Sequence, residues 1–182
     1  MVGRYDGKTF GVERVDKMQY GQPLEDVATD FSSPCPTPAG GWRAPDPERA
    51  TGEDQQRVLE ASERLPGFAS TWVDDLGDSR QDPQEIVLNV AVTRDLDGAE
   101  RALRKLWGGS LCVSQAKHTR AELSQIQTEL MELAGVLGSG QGMQNRVELD
   151  VVYDDGTLQR RLDQMYGVGL VQVSSALRTY PR

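Results

Sequence analysis

Two segments of the chain, Ile86–Ser114 and Arg146–Ser174, carry one pattern of apolar positions, and this repetition constrains the fold more than any other feature. At an offset of 59 residues Leu88, Val90 and Val92 fall on Val147, Leu149 and Val151, Asp95 falls on Asp154, and Leu103, Leu106 and Trp107 fall on Leu162, Met165 and Tyr166. One residue inserted in the second copy moves the offset to 60, which places Gly109 on Gly169, Val113 on Val173 and Ser114 on Ser174. The alternating positions fit strands and the wider spacings fit an amphipathic helix. Each segment therefore reads as strand, Asp-containing turn, helix, Gly turn, strand, with the two strands parallel.

Around this repeat the chain supplies further elements. Val2–Tyr5 and Thr9–Val15, joined at Asp6-Gly7, predict a hairpin. Pro23 followed by Leu24, Val27 and Phe31 predicts a short helix. The stretch from Ser32 to Pro47 holds five prolines and two glycines, so it is a wrapping loop, and Trp42 is expected to pin it to the body. Thr51 and Asp54 form a capping arrangement for a helix that Pro66-Gly67 ends. Phe68–Asp74 reads as a strand with Phe68, Ser70 and Trp72 on one side, and an acidic connection leads from it to an antiparallel partner. Thr119 and Glu122 cap a helix of about five turns marked by Leu123, Ile126, Leu130, Leu133 and Leu137. The glycines at 138, 140 and 142 read as the loop that ends it.

The expected architecture is an α+β fold: a mixed sheet of five to six strands built on a duplicated strand-helix-strand unit, with helices mainly on one face. Residues 1–48 would form the hairpin, short helix and wrap, and residues 49–182 the α+β domain.

Acidic residues outnumber basic ones by 28 to 20, for a net charge of -8, which opposes binding to a nucleic-acid backbone or an anionic membrane. No apolar run approaches the ~20 residues of a membrane-spanning helix. Met1 opens directly into strand-like sequence with no secretory pattern, so an export signal would have to precede it. Cys35 and Cys112 are compatible either with one disulfide in an exported protein or with two separate thiols in the cytosol.

No motif commits the chain to a reaction. His118, the only histidine, has no nucleophile or orienting carboxylate at a local spacing, and one His with two distant Cys fits no zinc pattern. Gly138-Ser139-Gly140-Gln141-Gly142 follows a helix and lacks the lysine of a phosphate loop. The Asp95 and Asp154 corners read as helix caps rather than calcium ligands. Neither a metal nor a cofactor is expected. Because the repeat matches only at core and turn positions, function is expected in what is not repeated. The candidate binding residues are Trp42 in the loop, Trp72 in the strand before the connection, Asp75 and Asp78 in the acidic connection, and Glu148 and Asp150 on the outer sheet face.

Phe68-Ala69-Ser70-Thr71-Trp72-Val73-Asp74, the strand at Ile86–Thr93, and Ala121-Glu122-Leu123 with Ile126-Gln127 are similar to a pattern in exported actinobacterial proteins, where a FAGxWID strand precedes a VVAFT strand and an AELxxIQ helix. Gly3–Phe10, Gln144–Val147 and Tyr166–Gly169 resemble the same proteins. More remotely, the strand-helix-strand portion resembles pro-regions of secreted chymotrypsin-like proteases, although no protease domain follows and Arg178–Arg182 matches no pro-region tail. The resemblance implies an extracellular or cell-envelope location, with any lipid anchor lying outside this chain. It also implies a non-enzymatic module that binds a protein partner. The alternatives are a pro-region-like inhibitor or folding chaperone and, from a different class, a carboxylate-based hydrolase.

Overall fold

A computed structural model of the chain describes residues 2–15, 30–77, 82–142 and 144–179. It divides into two compact units, Met1–Thr29 with Leu177–Arg182, and Asp30–Ala176. In the first unit, β1 (Val2–Tyr5) and β2 (Phe10–Arg14) form the expected antiparallel hairpin. Its turn is set by the Asp6 carboxylate, which accepts the backbone N–H groups of Lys8 and Thr9 at 2.8 and 2.7 Å, and by Gly7 at φ +95°. The helix expected from Pro23 falls on residues outside the described ones, apart from the exposed Phe31.

The second unit runs α1 (Gly52–Ser62), β3 (Phe68–Asp74), β4 (Val87–Val92), α2 (Leu96–Arg104) and β5 (Ser110–Gln115). It continues through α3 (Arg120–Met131), β6 (Val136–Gly142), β7 (Arg146–Val151), α4 (Thr157–Tyr166) and β8 (Val171–Ser175). The fold is mixed α and β as expected, but a single sheet of five to six strands does not form. β3-β4-β5 and β6-β7-β8 are separate three-stranded sheets, each with one antiparallel and one parallel pair. β4 is flanked by β3 and β5, and β7 by β6 and β8, and among the described residues no ladder pairs an edge strand of one sheet with an edge strand of the other, so the hydrogen bonding stops at three strands in each.

The two five-element modules agree in register. Phe68 pairs with Val92 and Val136 with Val151; both ladders then skip one residue, Ala69 or Leu137, before Ser70 pairs with Ala91 and Gly138 with Asp150. Each helix preceding a sheet opens with a capping box, Thr51–Asp54 in α1 and Thr119–Glu122 in α3. These positions are offset by 68 residues, against 59 from β4 to β7, because the β3–β4 connection is nine residues longer than the β6–β7 turn.

Each module buries its own core. Val58, Phe68, Leu88, Val90, Val92, Leu103 and Trp107 pack between α1, α2 and the first sheet, and Leu123, Leu130, Val147, Leu149, Val151 and Leu162 between α3, α4 and the second. Trp107 is fully buried, and its indole N–H donates to the carbonyl of Ser110 at 2.9 Å.

Three local expectations are corrected. The bulge at Ala69 turns Phe68 into the helix-side core while Trp72 packs on the opposite face, so the two do not share a side. α3 ends at Met131 rather than running through Leu137, since Gly135 at φ +85° turns the chain. The glycine-rich run that follows is not a loop but strand β6, whose ladder to β7 needs backbone only and so leaves little side-chain signal.

Candidate functional site

The start of the Pro-rich segment, residues 31–35, lies against the face of the first sheet that is turned away from the helices. At one end the indole N–H of Trp72 donates to the carbonyl of Phe31 at 3.1 Å, and the Ser33 N–H donates to Asp74 at 2.8 Å. Cys35 is bonded to Cys112 of β5, with S–S 2.03 Å and Cα–Cα 5.8 Å. At the other end Asp46 and Gly108 are joined backbone to backbone at 2.9 Å, and Ala44 packs against the first core. Beneath this strap Asn89 and Ser110 are buried. Asn89 donates to the Val87 carbonyl at 3.1 Å, while its Oδ1 and the Ser33 hydroxyl find no partner among the described residues.

Beside these contacts stands Trp42, the residue expected to pin the loop. Trp42 itself is half-buried on the wall of an open groove of 570 Å3, which it lines with Ala44, Pro47, Asp75, Leu76 and Glu85. Two candidates distant in sequence, Trp42 and Asp75, thus share one groove. Leu76, which sequence reasoning passed over, is 48% exposed there and adopts φ +54°, a left-handed conformation uncommon for a side chain of its kind. Asp78 lies outside the described residues. Trp72 serves the strap, not the groove.

Among the described residues of this unit, no irregular segment is bonded across the corresponding face of the second sheet. Glu148 and Asp150 project from β7 into solvent, as the alternation on this strand predicts, flanked on β8 by Gln172 and Ser174 and on β6 by Gly138 and Gly140. Glu148 meets Arg146 at 3.4 Å. Asp150 lines a depression of 340 Å3 with Leu137, Gly138, Ser174, Ser175 and Ala176.

The remaining acidic corners are structural. Asp95 accepts the Gly98 N–H at 3.1 Å, and Asp154 accepts those of Leu158 and Gln159 at 2.9 and 3.2 Å, so both carboxylates are committed to helix starts. The Thr51 hydroxyl, foremost, and Arg57 hold the Asp54 carboxyl below its usual range, and the Thr119 N–H and hydroxyl do the same for Glu122. His118 is clipped by Asn145, which accepts its N–H and donates to its carbonyl, each at 2.7 Å. Among the described residues no three His, Cys, Asp or Glu side chains converge as metal ligands, and no helix is long and apolar enough to cross a membrane.

Compared with known families and with curated proteins, the chain matches no family model and no individual protein. Its fold is a mixed α+β one of small separate sheets, of which β3-β4-β5 is bridged to the Pro-rich segment by the Cys35–Cys112 disulfide.

Proposed function

We propose that this chain is an exported or cell-envelope module that binds another protein without chemistry of its own, and that the open face of the second sheet is its contact surface. The observation carrying this reading is the contrast, among the described residues, between two faces of equal register: one is contacted by Phe31, Ser33 and Cys35 and locked by Cys35–Cys112, the other presents Glu148, Asp150, Gln172 and Ser174 to solvent. A disulfide to β5 supports an oxidising compartment. That the modules are copies of one unit, the second left uncovered for binding, belongs to the same proposal. So does a protein partner rather than nucleic acid, given the charge of -8.

The pro-region-like chaperone or inhibitor remains the second reading, favoured by β6. It is an edge strand with Gly138, Gly140 and Gly142 on one side, to which a partner strand could add. The carboxylate hydrolase is the third reading: Glu148 and Asp150 stand in solvent, and the two carboxylates that share a groove are Asp75 and Glu85. The test is a photo-crosslinking residue placed at Gln172 in the full chain in its producing cell, with the same residue at Glu53 on α1 as control. The expected result is one covalent protein adduct from Gln172 only. Equal adducts at both positions, or none, overturn the reading.

A further inference from the structure

Strand register places Trp72, Asn89 and Cys112 in one row across β3, β4 and β5, and Asp74, Val87 and Ser110 in the next. Residues 31–35 are fastened to the two outer strands of these rows. On β3 the Phe31 carbonyl accepts the Trp72 indole N–H at 3.1 Å and the Ser33 N–H donates to Asp74 at 2.8 Å; on β5 Cys35 is bonded to Cys112. An extended chain from residue 31 to residue 35 reaches up to about 13 Å, and two inter-strand spacings take about 10 Å, so the segment is a short bridge over β4. The two fastenings differ in kind. Pro34 and Pro36 flank Cys35 and carry no N–H, so the segment cannot add to β5 as a strand. From residue 36 to residue 45 no backbone hydrogen bond ties the chain to the sheet among the described residues. The Cys35 sulfur lies 3.8 Å from the Val113 carbonyl, but a disulfide sulfur has no proton to donate. The disulfide alone therefore holds the β5 end of the bridge.

Closing the bridge works against that bond. Asn89 is 0% exposed and its Oδ1 has no partner among the described residues, and the Ser33 hydroxyl is likewise buried and unpartnered. Water would satisfy both atoms if the bridge lifted. We propose that Cys35–Cys112 is a redox latch on a two-state bridge. Oxidised, it keeps residues 31–35 over the Asn89 row; reduced by a dithiol, it lets the β5 end lift and uncovers that row while the sheet stays folded. Cys112 is 1% exposed and Cys35 is half-buried, so the dithiol's thiolate attacks the Cys35 sulfur. The Cys35–Cys112 bond breaks, a mixed disulfide forms on Cys35, and Cys112 leaves as a thiolate that takes up a proton. The second thiol of the reductant then closes onto the first and releases Cys35 as a thiol. Two electrons and two protons pass to the cysteines, and the dithiol ends as a disulfide. With the bridge lifted, the first sheet presents Trp72, Asn89 and Cys112 at the positions that Gly140, Glu148 and Gln172 hold on the second. The latch concerns the first sheet alone and does not depend on what the second sheet's face binds.

The test uses the full chain, 15N-labelled, with and without dithiothreitol under native conditions, read by amide hydrogen exchange and by iodoacetamide labelling of Cys112. Reduction should speed exchange of the Ser33 amide about tenfold or more and open Cys112 to labelling. The amides of Val90 in β4 and Leu149 in β7 should keep their protection, and reoxidation should restore the slow Ser33 exchange. In reduced Asn89→Leu, which removes the unmet acceptor, the bridge should stay closed more of the time and Cys112 should label about threefold or more slowly than in the reduced native chain. Ser33→Ala removes the other unpartnered atom and should shift the labelling the same way. Four results would each overturn the latch. Ser33 exchange as slow after reduction as before would mean that the bridge holds itself, and loss of Val90 protection together with Ser33 would mean that the disulfide supports the sheet as a whole. Labelling unchanged in both variants would remove the unmet polar atoms as the cause of opening. A disulfide that dithiothreitol leaves intact in the native chain would make the switch chemically closed.

Discussion

Cys35 in the strap is bonded to Cys112 in β5, closing a loop 77 residues apart in sequence and holding an irregular segment against a sheet face that contains a buried Asn89. Constraining an unfolded loop of that length is worth about 4 kcal/mol in the chain-entropy account. The double variant Cys35→Ser/Cys112→Ser should lose about 2–4 kcal/mol in urea unfolding. Its Ser33 amide, bonded to Asp74 in the native chain, should exchange with solvent faster than the amides of β7. A variant as stable as the native chain, with Ser33 still protected, would show that the strap holds itself.

Asn89 tests what lies under the strap. It is fully buried with one amide bond made and Oδ1 unpartnered among the described residues, so replacing it by an apolar side chain of similar size removes donor and unmet acceptor together. Asn89→Leu should be neutral or more stable by up to about 1 kcal/mol. Asn89→Asp should lose about 3 kcal/mol or more at neutral pH, because the charge has no counterpart there. The order of the two unfolding midpoints decides the point.

The capping boxes make the fold acid-sensitive in a defined window. Asp54 and Glu122 are held below their usual pKa by their threonine partners, so their contribution is complete above the unfolded values near ~4 and is lost as pH falls through the lowered folded values. Stability measured from pH 6 downward should fall below about pH 4, and the fall should be shallower in Asp54→Asn/Glu122→Gln. Thr51→Ala and Thr119→Ala should each cost about 1 kcal/mol at pH 7. An unchanged pH profile in the double variant would show that other carboxylates dominate.

Two glycines separate packing from exposure. A Cβ at Gly109 would lie 2.2 Å from the Trp107 ring, so Gly109→Ala should destabilise by about 1–3 kcal/mol. At Gly140 a Cβ meets nothing within 4 Å, so Gly140→Val should keep or raise stability by up to about 1 kcal/mol. If the open sheet face is the contact surface, Gly140→Val should also reduce the Gln172 crosslink without unfolding the chain. Thermal melts of both variants, read beside the crosslink yield, check this.

Leu76 offers a test of the groove. Its φ of +54° costs a side chain of this kind about 1–2 kcal/mol, which glycine avoids. Leu76→Gly should therefore raise the melting temperature in spite of the lost apolar surface. A fall would mean that the leucine packs more tightly in the groove than its 48% exposure indicates.

What the residues determine by themselves is local. Alternation in Leu88–Val92 and Val147–Val151, the spacing of Leu103 and Trp107, the capping boxes at Thr51 and Thr119 and the Asp6-Gly7 turn each act within a few residues, and the elements form where those signals lie. The sequence also pointed to Glu148 and Asp150 as outward-facing, because alternation on that strand gives the other positions to the core. Tertiary structure alone decided which edges are filled. With β3 on β4 and β6 on β7, the strands divide into two sheets instead of one. Sequence reasoning missed β6 because glycine pairs through its backbone and leaves no side-chain period to read. It missed the Leu137–Asp150 corner because the bulge that brings those residues together is a property of strand register, which no local pattern encodes.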